Sequence, residues 1–200
     1  MKQSKKVTLL AKVISRVFDP MVEIPLLMAA TAYIALTNGA RFRFLILLGI
    51  VNGLFPALFV LFGLKTGRIS DIDMTKRSER VGPYVFTLIC HFFSLIYALM
   101  IGKTFLAAIL AVFWGLAVIF ALVTIRWKIS VHTGVNAALV AFANHFYGWN
   151  NYWWLLIVLV LVLWSRVSMK KHTLAQAIVG AIVALVWVEL GLRFFGLRAV

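Results

Sequence analysis

From Thr104 to Ile125 the chain reads TFLAAILAVFWGLAVIFALVTI, without one charged residue. A stretch of about 20 apolar residues matches the hydrocarbon thickness of a bilayer, and only a helix satisfies its backbone hydrogen bonds there. Similar runs recur, with spans expected at Met21–Thr37, Phe44–Leu64, Pro83–Ile101, Thr104–Ile125, Thr133–Gly148, Tyr152–Trp164 and Thr173–Phe195. The fifth and sixth are short for a crossing. With 64% hydrophobic residues in 200, the composition lies well above that of a soluble globular domain. The reading is an all-α, polytopic membrane bundle of six or seven transmembrane helices. It sits in residues 21–200, behind a basic N-terminal segment, residues 1–20. In that segment Leu9, Leu10, Val13, Ile14 and Val17 recur at helical spacing, while Lys12 and Arg16 break the apolar core that a signal peptide requires. An amphipathic interfacial helix is expected there.

The formal charge of +14 comes from 20 Lys and Arg against 6 Asp and Glu. These charges fall in short loops between spans, so the expected partners are lipid headgroups and an anionic lipid ligand, with no nucleic acid. With seven spans, the N-terminus and the loops around residues 65–82, 126–130 and 165–172 share one side. Most of the basic residues lie there, and the positive-inside rule would turn that side to the cytoplasm. The single cysteine, Cys90, excludes a disulfide within the chain.

Three polar segments meet at that edge. DIDMTKRSERVGPY carries Lys76, Arg77 and Arg80. RWKISVHTGVNAAL carries Ser130 and His132 at the start of a span. WSRVSMKKHTLAQ carries Arg166 and His172. Several cations suit a phosphate group, whose negative charge spreads over its oxygens in transfer. One histidine can attack phosphorus and a second can protonate the leaving oxygen.

In order and spacing these segments resemble the type-2 phosphatidic acid phosphatase superfamily, the membrane lipid phosphatases related to haloperoxidases. That family shows Lys-x6-Arg-Pro, then Pro-Ser-Gly-His, then Ser-Arg-x5-His-x3-Asp. Here the third motif is Ser165-Arg166, five residues, His172, three residues and Gln176. The second is Ile129-Ser130-Val131-His132, and the first is approximated by Lys76 to Pro83. The resemblance covers about Lys65 to the last span. It implies that His172 is the nucleophile forming a phosphohistidine and that His132 is the acid for the leaving group. It implies a phosphate cradle of Arg166, Ser130 and some of Lys76, Arg77 and Arg80, with no metal or other cofactor.

Gln176 stands where the family has Asp. Helical spacing of i and i+4 would place it beside His172 as an uncharged orienting group. The expected function is hydrolysis of a lipid phosphate or diphosphate, of phosphatidate or polyprenyl type, in a multi-pass protein of the cell membrane. The alternative is a catalytically weak or inactive binding or transport protein on the same scaffold. A magnesium-dependent intramembrane transferase is disfavoured, because Asp71 and Asp73 form one acidic pair with few other acids. Ordinary readings serve the rest. Ser130 is also a fitting N-cap, and the Lys76–Arg80 cations also suit a lipid surface. His91 and His145 lie in apolar spans, Glu23 and Glu189 are intramembrane acids without an assigned role, and FYGWNNYWW suits an interfacial aromatic belt.

Overall fold

The computed structural model describes residues 5–198, and all regular structure among them is helical. In chain order the helices are α1 (Lys5–Val17), α2 (Pro20–Ala35), α3 (Asn38–Gly49), α4 (Phe55–Lys65), α5 (Val81–Met100), α6 (Thr104–Arg126), α7 (Val131–Tyr147), the short α8 (Trp149–Tyr152), α9 (Leu155–Ser168) and α10 (Leu174–Phe194). The expected spans coincide with these helices to within a few residues, because charged or glycine-containing breaks punctuate the hydropathy. Five stretches, Thr8–Ala35, Arg41–Lys65, Arg77–Met100, Thr104–Arg126 and Leu174–Phe194, are long and apolar enough to cross a membrane. Helix α7 has 17 residues and α9 has 14. At 1.5 Å per residue these reach roughly 26 and 21 Å, short of a full hydrocarbon core of about 30 Å. Large apolar side chains such as Leu58, Phe62, Val85, Phe93, Leu122 and Val160 stand exposed, an exterior suited to lipid rather than water.

The chain divides into two compact units. One comprises the N-terminal residues through Glu23 together with the chain from Lys128 onward; the other is Ile24–Trp127. In the second unit, α3 and α4 are joined by a π-helical turn, Ile50–Leu54. Pro56 has no N–H to give to the preceding turn, and a widened turn absorbs that loss. The buried Asn52 in this turn donates Nδ2 to Leu48 O and to Ser94 Oγ, at 3.3 and 2.9 Å, fastening the turn to α5. Helices α5 and α6 pair through Trp114 Nε1, which donates to Leu88 O at 3.2 Å.

In the first unit α7 and α10 run parallel. Their starts meet where Ser130 N donates to Gln176 O at 3.3 Å, and their ends meet where His145 reaches Glu189 and Leu197. Small residues make the close approach possible, with Ala177, Ala181 and Ala184 buried along α10. Thr133 Oγ1 donates across to Ala177 O at 2.9 Å. At Gly180 a Cβ would stand 2.7 Å from Ser130 O and 2.9 Å from Thr133 Oγ1. The backbone oxygen cannot swing aside, so Gly180→Val is expected to cost about 1–3 kcal/mol. Thermal unfolding in detergent should show a lower Tm, and an unchanged Tm would contradict this packing.

Helix α1 packs on α9 through its small residues Ala11 and Ser15, both buried, while Leu9, Leu10, Val13 and Val17 are exposed. The apolar residues expected to share a face of this helix are thus exposed.

Candidate functional site

One end of the first unit collects most of the expected residues, and each is placed by a recognisable local device. Helix α9 ends in a Schellman turn. Lys171 N donates to Arg166 O at 3.0 Å, Lys170 N donates to Val167 O at 2.9 Å, and Lys170 adopts the left-handed conformation with φ 56°. The turn swings the chain back so that His172 N also faces Arg166 O, at 3.4 Å. Lys128 completes the closure by donating Nζ to Lys171 O at 2.8 Å.

His172 is buried, and its Nδ1 lies 3.3 Å from Lys128 O. A carbonyl oxygen can only accept, so this bond places the proton on Nδ1 and the lone pair on Nε2. Arg166 sits in the last turn of α9 with 1% of its surface exposed, and donates Nη1 to Ser15 Oγ of α1 at 2.6 Å. Both residues therefore lie in this unit, and through the Lys128 carbonyl His172 meets the segment that leads to Ser130 and His132.

His132 lies in the first turn of α7. It lies four positions after Lys128, a span of at most about 14 Å. Its Nε2 is 3.4 Å from Asp19 Oδ2. Asp19 was not among the sequence candidates. It occupies the break between α1 and α2, where its Oδ1 accepts from Met21 N at 3.0 Å and Pro20 takes the first helical position. Asp before Pro is a strong helix-start signal; what the sequence does not carry is the partner 113 residues away. Arg16 Nη1 also approaches Asp19 Oδ2, at 3.6 Å. One turn further on, Glu23 accepts from Asn136 Nδ2 at 2.6 Å, and the same Nδ2 donates to His132 O at 2.8 Å. The intramembrane acid Glu23 thus belongs to a buried polar layer that steadies the start of α7.

Family models, curated proteins and solved structures give no match to this chain. What the site does must therefore be argued from its own groups.

Two sequence candidates serve as helix caps. Ser130 is fully buried and caps α7, accepting at Oγ from Thr133 N at 3.4 Å. Gln176 is not beside His172 on a helix. Helix α10 starts at Leu174 with Thr173 as its N-cap, and His172 lies in the preceding turn. Gln176 Oε1 accepts from Thr173 N at 3.1 Å while Gln176 N donates to Thr173 Oγ1 at 3.2 Å, a reciprocal capping box. The Lys128 carbonyl oxygen faces His172 Nδ1. Gln176→Ala is accordingly expected to cost about 1 kcal/mol in stability. An unchanged Tm in detergent would contradict this capping role.

Lys76, Arg77 and Arg80 belong to the other unit, in the loop before α5. Arg80 is buried and donates Nε to Met74 O at 2.9 Å and Nη2 to Asp73 O at 3.4 Å. Lys76 and Arg77 are exposed, and Lys76 Nζ lies 3.5 Å from Glu79 Oε1. Asp71 accepts from Asp73 N, Thr75 N and Thr75 Oγ1 at 3.0–3.1 Å, and Glu79 accepts from Ser70 N and Oγ at 2.9 Å. The acids of this loop thus shape the loop itself. Among the described residues no group of three or more His, Cys, Asp or Glu is arranged to hold a metal ion.

Proposed function

We propose that this protein is an integral membrane phosphatase acting on a lipid phosphate or diphosphate, with His172 as nucleophile. The observation that carries the reading is the bond from His172 Nδ1 to the Lys128 carbonyl, which leaves the lone pair on Nε2. Arg166 and Lys128 supply positive charge for the phosphate oxygens, and Arg166 offers a planar fork suited to them. In the first step Nε2 attacks phosphorus, the bond from phosphorus to the lipid oxygen breaks, and His132 gives that oxygen a proton. In the second step His132 takes a proton from water, the hydroxide attacks phosphorus, and the N–P bond breaks to release inorganic phosphate.

Asp19 assumes the part of the carboxylate that the third motif lacks, but towards the other histidine. Facing His132 Nε2, it stabilises the cationic imidazole that must exist before each proton donation. His172 has a neutral carbonyl instead, which fixes its tautomer without adding charge. The apolar exterior lets a substrate keep its tail in the bilayer while its headgroup enters the polar end. Phosphatidate and a polyprenyl diphosphate are the substrate types proposed, in the cell membrane.

The test is phosphate release from these two lipids by the full chain in detergent with EDTA present. Release that persists in EDTA supports the reading. Tight binding without release would favour a lipid-phosphate binding or transport protein instead, and neither binding nor release would overturn both.

A further inference from the structure

The opposite end of the α7–α10 pair holds a second cluster that the phosphatase chemistry does not use. His145 lies thirteen residues beyond His132 on α7, roughly 20 Å along the helix. There a cavity of about 500 Å³ is lined by residues including Asn144, His145, Trp149, Glu189, Arg193 and Arg198. Cavities of this size commonly hold small polar ligands.

Its walls are built rather than incidental. His145 Nε2 lies 2.8 Å from Leu197 O, and His145 Nδ1 lies 3.3 Å from Glu189 Oε2. The carbonyl can only accept, so His145 Nε2 carries a proton. Arg193 Nε donates to Glu189 Oε1 at 2.6 Å. Helix α10 closes in a Schellman turn, with Leu197 N donating to Leu192 O at 3.0 Å, Gly196 N donating to Arg193 O at 2.9 Å, and Gly196 at φ 63°. That turn, pinned by His145, brings Arg198 to the cavity.

Two groups at this cavity are left over. Arg198 is exposed and makes no hydrogen bond or ion pair with the described residues. Asn144 is 5% exposed; its Nδ2 donates to Val140 O at 2.9 Å, and its Oδ1 has no partner. A buried acceptor left without a donor is costly, and a bound donor would relieve it. The cavity thus asks for a ligand with a negative group for the arginines and a hydroxyl for Asn144. The exposed indoles of Trp149, Trp153 and Trp154 place it at the depth where headgroups lie.

We propose that this cavity is a second site, which takes a hydroxyl-bearing phosphate ester, supplied as the headgroup of an anionic phospholipid. The site is independent of His172, so its test does not depend on turnover. Full-length protein labelled with 5-fluorotryptophan is titrated with dihexanoyl phosphatidylglycerol, dihexanoyl phosphatidylcholine and sn-glycerol 3-phosphate. The Trp149 resonance, assigned through Trp149→Phe, reports the cavity. Phosphatidylglycerol should shift it saturably, and Arg198→Gln should weaken that binding about tenfold, the loss of one charge-assisted contact. His172→Ala should leave it unchanged. Glycerol 3-phosphate binding as tightly as the lipid would keep the phosphate-ester site and overturn the lipid as its source. Equal shifts with phosphatidylcholine, or an affinity indifferent to Arg198, would overturn the proposal.

Discussion

His172→Ala is expected to lower phosphate release by about 10⁴-fold or more, the scale on which enzymes lose turnover when a covalent nucleophile is removed. Covalent transfer to histidine needs one ring nitrogen with a lone pair, and the Lys128 carbonyl assigns that lone pair to Nε2. Alanine removes the nucleophile and leaves the surroundings intact. The Schellman turn before His172 is made of backbone bonds, and the capping box after it belongs to Thr173 and Gln176. The Tm should therefore fall little. His172→Gln is a second check, because its amide can still donate to Lys128 O yet cannot form the phosphoenzyme. It should be as inactive as the alanine variant. Activity retained in either variant would remove His172 from the centre of the mechanism.

Asp19→Asn is expected to reduce turnover by about 10²-fold or more, the lower range for a misdirected or unsupported proton donor. The substitution separates two duties of one side chain. Asparagine remains a good N-cap, so the bond from Met21 N to Oδ1 survives and α2 keeps its start. What disappears is the negative charge 3.4 Å from His132 Nε2. Without it the imidazolium loses its counter-charge in a buried place, where such charge counts most. In a serine-protease triad the same Asp to Asn change costs about 10⁴. The smaller figure is expected here, because Asp19 faces His132, the proposed proton donor, and not His172, the proposed nucleophile. Stability near that of the wild type with turnover reduced would assign Asp19 to chemistry. Lower stability with normal turnover would make it a helix cap alone.

Much of this architecture is legible in the chain. Hydropathy places the long apolar stretches, because most apolar runs are closed by charged or polar breaks. Arg166, His172 and His132 stand out for the same reason, as polar groups at the edges of such runs. The failures have physical causes. Gln176 was read at helical spacing from His172, but Thr173 caps α10 and puts His172 outside the helix, so the spacing no longer implies a shared face. The group that faces His172 Nδ1 is a backbone carbonyl, and a backbone group leaves no trace in residue identity. Asp19 shows in FDPMVE as a helix start, yet its pairing with His132 depends on tertiary packing. Ser130 caps α7, a role its place before the span already suggests. Glu23, a conspicuous intramembrane acid, finds its explanation only in Asn136, on a helix more than a hundred residues away.

The central claim is a covalent bond between phosphorus and His172, and trapping that bond tests it most directly. The full chain is mixed with ³²P-labelled lipid phosphate in EDTA and quenched within a single turnover, and the label is located by peptide mapping. The account predicts an acid-labile, alkali-stable phosphohistidine at His172, absent from His172→Ala and prolonged in His132→Ala, which lacks the group that activates water. Phosphate release without any labelled intermediate, or label on another residue, would contradict it.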